Sequence, residues 1–223
     1  MNRLSPIGVL VVTALLAGCD RAAQKPMTPA ASGGPTTERA GPVQWNTTTG
    51  AFELNGRRLK TIKLWTFEGS TEGFTAVRSK ITPALDQGLS VQISDPTLRS
   101  PKGLNVPGGQ FPLVLVRLTR TAAGEAWDGA LYYSTAAHPE ASTFFGKPTP
   151  ATPPAVGETV TLVYDMARQT VGAPDWIQSN IDQIRLDVED KAGGAFVIRQ
   201  VAIAENPQSA TLPAADPLPS AKP

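Results

Sequence analysis

The chain has 223 residues, with 20 Lys/Arg against 19 Asp/Glu, one histidine and one cysteine. That balance leaves no excess positive charge for gripping nucleic acid, and the single His138 and Cys19 exclude His/Cys metal clusters and a Cys-His catalytic pair. Charged residues at 17%, with 20 Gly and 21 Pro, also argue against a long helical bundle. The N-terminal run MNRLSPIGVLVVTALLAG carries one positive charge at Arg3 and a short apolar core from Ile7 to Ala17. That core is too short for the ~20 residues of a permanent membrane helix, so residues 1–18 read as a secretory signal.

The signal ends in Leu16-Ala17-Gly18-Cys19, which resembles the lipobox of bacterial lipoproteins. The resemblance implies cleavage before Cys19, diacylation of its thiol and acylation of the new amino group. Several acyl chains hold a protein on a membrane where one would be marginal. With no second cysteine there is no intrachain disulfide to expect. Asp20 follows the lipidated position, a placement that in enteric lipoproteins goes with the periplasmic face of the inner membrane; the outer membrane is the alternative. From Asp20 to Pro42, 16 of 23 residues are Ala, Gly, Pro, Ser or Thr and none is aromatic, so 19–42 reads as a lipidated, disordered tether. Residues 205–223, with five prolines, read as a similar tail, leaving 43–204 as the folded unit.

Within that unit the pattern is of strands. Asn55-Gly56 lies between Ala51-Phe52-Glu53-Leu54 and Arg57-Arg58-Leu59-Lys60, predicting an N-terminal hairpin at about 51–60. KTIKLWTF (60–67) and LSVQI (89–93) alternate, and a turn is expected at Ser94-Asp95-Pro96. FPLVLVRL (111–118) is apolar on both faces, as a strand covered on each side would be. GALYYS (129–134), TVTLVY (159–164) and IRLDV (184–188) follow. In the last strand, 195–203, Phe196 and Ile198 are in phase and Val201 and Ile203 slip by one, which predicts a β-bulge. Only PDWIQSNID (174–182) suggests a helical turn, and PTPATPPAVG (148–157) reads as a long rigid loop. The expected class is all-β, a sandwich or barrel.

The order of motifs then resembles the galactose-binding-domain-like jelly roll of many carbohydrate-binding modules. It runs Trp65-Thr66-Phe67-Glu68, Thr71-Glu72-Gly73-Phe74, Trp127-Asp128-Gly129 before Leu131-Tyr132-Tyr133, and Ile184-Arg185-Leu186-Asp187 before Phe196. The likeness spans roughly residues 60–204. It implies a jelly-roll β-sandwich of two antiparallel sheets with first and last strands side by side, often a structural calcium, and commonly no catalysis. Four aromatic residues are candidates for ligand contact: Trp65, Trp127, Tyr132 and Tyr133. An indole or phenol face stacks on the C–H side of a sugar ring, although each of these residues has core packing as its plainer role. Tyr132 and Tyr133 point to opposite faces, so one of them at most joins a binding surface. Glu68 and Asp187 are the candidate carboxylates for calcium, with an Arg185 ion pair or plain solvation as the alternative.

His138, beside Pro139 in a loop segment, has no partner suggested by local sequence, and no Gly-x-Ser-x-Gly elbow occurs. Gly108-Gly109 lacks the following Lys-Ser/Thr of a phosphate loop, so no nucleotide is expected. The expectation is a membrane-anchored, non-catalytic envelope protein that binds glycan or another envelope component, without a cofactor apart from that calcium. A protein-interaction or assembly subunit of an envelope complex is the alternative, and a saccharide-acting enzyme comes third.

Overall fold

The computed structural model describes residues 36–168, 171–172 and 174–208, and for 93–96 the backbone alone. Residues 1–35, with Cys19 and Asp20, and 209–223 lie outside them. Three short strands, β2 (Val43–Asn46), β3 (Ala51–Leu54) and β4 (Arg57–Arg58), form a small antiparallel sheet. Its β3–β4 turn is the expected one: Asn55 and Gly56 both take positive φ, 51° and 78°, as the tight hairpin turn requires. The preceding β1 (Thr37–Glu38) and everything after β4 belong to one large curled sheet.

That sheet folds over into two layers. The first contains β5 (Thr61–Trp65), β9 (Leu113–Ala122), β12 (Glu158–Asp165) and β14 (Ala195–Ala204), in the order β12-β9-β14, with β5 paired to β14. The second contains β8 (Val106–Pro107), β10 (Trp127–Thr135), β11 (Phe145–Gly146) and β13 (Asn180–Glu189). The hairpin of β6 (Thr75–Pro83) and β7 (Leu89–Arg99) joins them. One end of β7 pairs with β14 through residues 89–92 and the other with β13 through 98–99. The turn expected at 94–96 is therefore corrected: these residues are the middle of β7, opposite a register shift between Val77 and Ser79 where Arg78 takes φ 55°. The strand passes there from one layer to the other.

The molecule is thus an all-β jelly-roll sandwich, with the five-residue β5 side by side with the last strand, β14, and antiparallel to it. One pairing departs from the antiparallel rule, the parallel contact of β1 with β12. The slip in the last strand is a register shift between Ile198 and Gln200. Inward residues of both layers form one core, including Val114, Val116 and Leu118 of β9, Leu131 and Tyr133 of β10, and Ile184 and Leu186 of β13. Leu113 and Leu115 point the other way, into a second cluster with Val43, Phe52 and Leu59 beneath the small sheet. The unbroken apolar run of β9 is explained by this double cover.

The folded unit is longer at each end than composition suggested. Arg39 pairs with Glu158 at 2.6 Å, and Asn206 is buried beside Asp165. These long-range contacts hold down segments whose own sequences have little apolar surface.

The aromatic motif after β5 is organised by one carboxylate. Glu72 Oε1 accepts the backbone N–H groups of Thr66 at 3.1 Å and Phe67 at 2.5 Å. This holds Phe67 at φ 57°, a conformation that costs a bulky residue about 1–3 kcal/mol. The turn drives Phe67 into the core, where it meets Phe74 edge-on at 5.1 Å, with Trp65 5.3 Å from the same ring.

Candidate functional site

The register of the second layer lines up residues that are far apart in sequence. Phe145 lies opposite Tyr132, Tyr132 opposite Arg185, Arg185 opposite Arg99, and Arg99 opposite Thr75. Because side chains alternate along a strand, this row faces outward while Leu131, Leu186 and Leu98 face the core. The guanidinium of Arg185 stacks 3.9 Å from the centre of the Tyr132 ring, and Phe145 packs against that ring at 5.4 Å. Burial first, then the nearby Asp128 and Asp187 carboxylates, raises the Tyr132 phenol above its ordinary range despite Arg185.

Glu140 descends onto this row from the loop between β10 and β11. Arg99 grips it side-on, Nε to Oε1 at 2.9 Å and Nη2 to Oε2 at 2.8 Å, while Arg185 Nη1 donates to Oε2 at 3.0 Å. Arg185 Nη2 also donates to Asp187 at 3.2 Å, but its buried Nε has no acceptor. Burial alone would raise the Glu140 pKa; the bonds and charges of Arg99 and Arg185 outweigh it and hold the carboxyl below its usual range. A carboxylate whose folded pKa is depressed stabilises the fold above the unfolded pKa, and that contribution is lost as pH falls through the folded value. Glu158, held down by Arg39, acts in the same direction. We expect thermal stability to decline on acidification below the ordinary carboxylate range, and Glu140→Gln to flatten part of that decline. Melting curves from pH 7 to pH 3 on the two proteins check this.

Beside the row a polar depression of 710 Å³ opens, with Thr75, Lys102, Ser134, Thr135, Asp182 and Gln183 among its lining. Residues 136–140 of the strap 136–143 form one wall, and His138 ties that strap to α1 (Asp175–Gln178), the one short helix among the described residues. The imidazole stacks on Phe144 at 3.6 Å and 14°, with Nε2 2.9 Å from Asp175 Oδ2 and Nδ1 2.9 Å from the carbonyl oxygen of Pro139. Tyr133 donates to the same Asp175 oxygen at 3.0 Å. This Asp-His-Tyr cluster was not visible in sequence, where His138 and Asp175 are 37 residues apart. Both imidazole nitrogens lie 2.9 Å from protein oxygens.

The expected site residues separate. Trp65 and Tyr133 are core residues, 8% and 0% exposed, which corrects their candidacy as ligand contacts. Tyr132 is on the outer face, but Arg185 and Phe145 pack against its ring. Trp127 donates its indole N–H to Ala151 O at 3.0 Å and packs near Phe196 and Arg120. Its six-membered ring lies over Gly129 (φ 65°), where a side chain would crowd it. The four aromatic residues thus form no shared stacking platform. Glu68 accepts from Gln87 at 2.7 Å at the end of the first layer, and Asp187 is held by Arg185 in the second. Among the described residues no three His, Cys, Asp or Glu side chains converge as a metal site.

A second opening, a groove of 670 Å³, lies between the small sheet and β12. Val43, Leu54, Leu113, Val163 and Met166 supply its apolar lining, and Lys147, Asp165 and Arg168 add charge.

Fold and surface together define an all-β sandwich with a cluster of charged and polar side chains on one outer sheet face. No protein-family model and no curated protein sequence matches the chain. Among solved structures it is similar to a carbohydrate esterase from the Shiga toxin-encoding bacteriophage phi24B, with a TM-score of 0.39 and 11% identity over 66% of this chain and 99% of that one.

Proposed function

We propose that the chain is a lipid-anchored, non-catalytic protein of the bacterial envelope whose sandwich binds a glycan in the polar depression of the second layer. The observation that carries this reading is the lining of the depression. Thr75, Ser134 and Thr135 offer hydroxyls that both donate and accept, Lys102 donates and Asp182 accepts, which suits a ligand rich in hydroxyl groups. Recognition would rest on hydrogen bonding rather than stacking, because the aromatic rings are occupied elsewhere. The packing of His138 against Phe144 and Asp175 gives the chain's one histidine a structural role, which supports the non-catalytic part. The lipobox-like Leu16-Ala17-Gly18-Cys19 supports the anchor.

Two measurements test the reading. Cys19→Ser should leave an unprocessed precursor that takes up no palmitate; normal labelling would remove the anchor. Titration with fragments of envelope polysaccharide should show binding that falls at least tenfold in Thr75→Ala/Lys102→Ala, two exposed lining residues, with little change in melting temperature. Equal binding by the variant would move the site elsewhere.

The apolar-lined groove favours a second reading, a protein-interaction subunit. An extended polypeptide could place apolar side chains against the half-buried Leu54 and Val163 while its ends meet the charged rim. Recovery of an envelope protein with the native chain, lost on Leu54→Asp, would support that reading over the first.

A further inference from the structure

We propose that Arg99 and Arg185 form an acid-binding subsite of the depression, at which Glu140 stands in for the carboxylate of an acidic, uronic-acid-type saccharide. This rests on the glycan-binding reading above and names the ligand class.

The two arginines come from different strands, β7 and β13, and converge on one carboxylate with the fork geometry that guanidinium groups use for planar anions. Both are held before any ligand arrives. Thr97 fixes Arg99 through Nη1 at 3.0 Å; Tyr132 stacking and Asp187 fix Arg185. A rigid sheet therefore supplies the cations, whereas a loop supplies the anion. That loop reads Ala136-Ala137-His138-Pro139-Glu140-Ala141-Ser142-Thr143, with small residues around the two anchoring side chains. His138 ties the strap to Asp175 through a contact that does not involve Glu140.

Two features distinguish this cluster from a saturated loop clamp. The buried Nε of Arg185 lacks an acceptor, so Glu140 leaves that guanidinium incompletely bonded. The cluster also opens sideways, with Arg99 and Glu140 themselves lining the depression alongside Lys102. A saccharide lying there with its hydroxyls on Thr75, Ser134 and Asp182 would present a ring carboxylate to the arginines. Exchange of one carboxylate for another conserves charge at the cluster. Its cost is the high local concentration of Glu140, so the wild-type protein should bind acidic ligands weakly and removal of Glu140 should reveal the subsite.

The experiment titrates the full-length protein and its Glu140→Gln variant with oligogalacturonate, and with the same oligomer after methyl esterification. Glu140→Gln should bind the acidic oligomer at least tenfold more tightly than wild type does, with the neutral oligomer changed less than twofold. Adding Arg99→Gln to that variant should abolish the gain. Equal binding of both oligomers, unaffected by Glu140→Gln, would overturn the acid subsite while leaving glycan binding standing. Absence of binding by either oligomer, with or without Glu140, would overturn this inference; failure of the polysaccharide-fragment titration is what would overturn the broader reading. An equal gain with polyglutamate would show a general anion effect and overturn the saccharide assignment. Sheet circular dichroism and melting curves verify that each variant is folded, and Glu140→Ala gives the same readout should Glu140→Gln fail to fold.

Discussion

Leu115→Asp is expected to leave the protein unfolded at 25 °C, seen as loss of the sheet signal in circular dichroism and of a cooperative melt. Leu115 is 0% exposed in the layer between β9 and the small sheet, among Val43, Phe52, Leu59 and Leu113. It lies opposite Val163 on one neighbouring strand and Ala202 on the other. The side chains packed around it there are apolar, so a carboxylate at this position would be desolvated. The penalty is comparable to the ~5–15 kcal/mol stability of a whole domain. Leu115→Ala, which leaves only a cavity, should cost about 2–5 kcal/mol and stay folded. If Leu115→Asp instead melts cooperatively near wild type, the small sheet is not packed on β9 as described.

The contrast between β9 and β6 shows what was legible from sequence. In β9 both faces are buried, so its hydrophobic run marks a central strand without reference to any partner. The Asn55-Gly56 turn and the slip in β14 are also written locally, in backbone preference and in side-chain period. β6 was missed because its residues are mostly exposed, so solvent imposes no alternation on Thr75–Pro83. The Asp95-Pro96 signal was misread because tertiary pairing carries β7 between layers, and a local turn preference yields to that. Ile62 and Leu64 share a phase as expected, yet each is 37% exposed, with Trp65 of the opposite phase buried instead.

The candidate site was less legible than the fold. Its row of residues, at 75, 99, 132, 145 and 185, exists only through strand register. Nothing local in the sequence distinguishes Arg99 from any other arginine. Asp175 reaches His138 because a four-residue helix turns it toward the strap, a placement that Trp176 fixes from the core. Arg185 and Asp187 could be assigned to one face from their spacing, and the structure joins them there at 3.2 Å. What the spacing could not supply was Glu140, which turns that face into an anion clasp.

The other large effect is expected at the buried pair of Arg120 and Glu189, which ties β9 to the end of β13 at 2.5 Å with side chains 9% and 0% exposed. Arg120 also donates to Pro154 O at 3.1 Å, and its guanidinium lies about 6 Å from the Trp127 and Phe196 rings. The pair is incompletely bonded, since Arg120 Nε and Glu189 Oε2 are buried without partners. Glu189→Ala would leave a buried guanidinium without its counterion and should cost about 3–5 kcal/mol in urea unfolding. Replacing both partners, as in Arg120→Met/Glu189→Leu, removes two desolvated charges together and should come close to wild type or exceed it. Gly124→Ala should act through the same contact. A Cβ at Gly124 would overlap Glu189 Oε2, with Gly194 crowding the carboxylate on another side, so the acid must leave its position opposite Arg120. Its cost should therefore be large in wild type and small in Arg120→Met/Glu189→Ala, where both the carboxylate and the Cδ that the new Cβ would meet are gone. Costs that simply add across the three changes would mean that the glycine and the ion pair act independently.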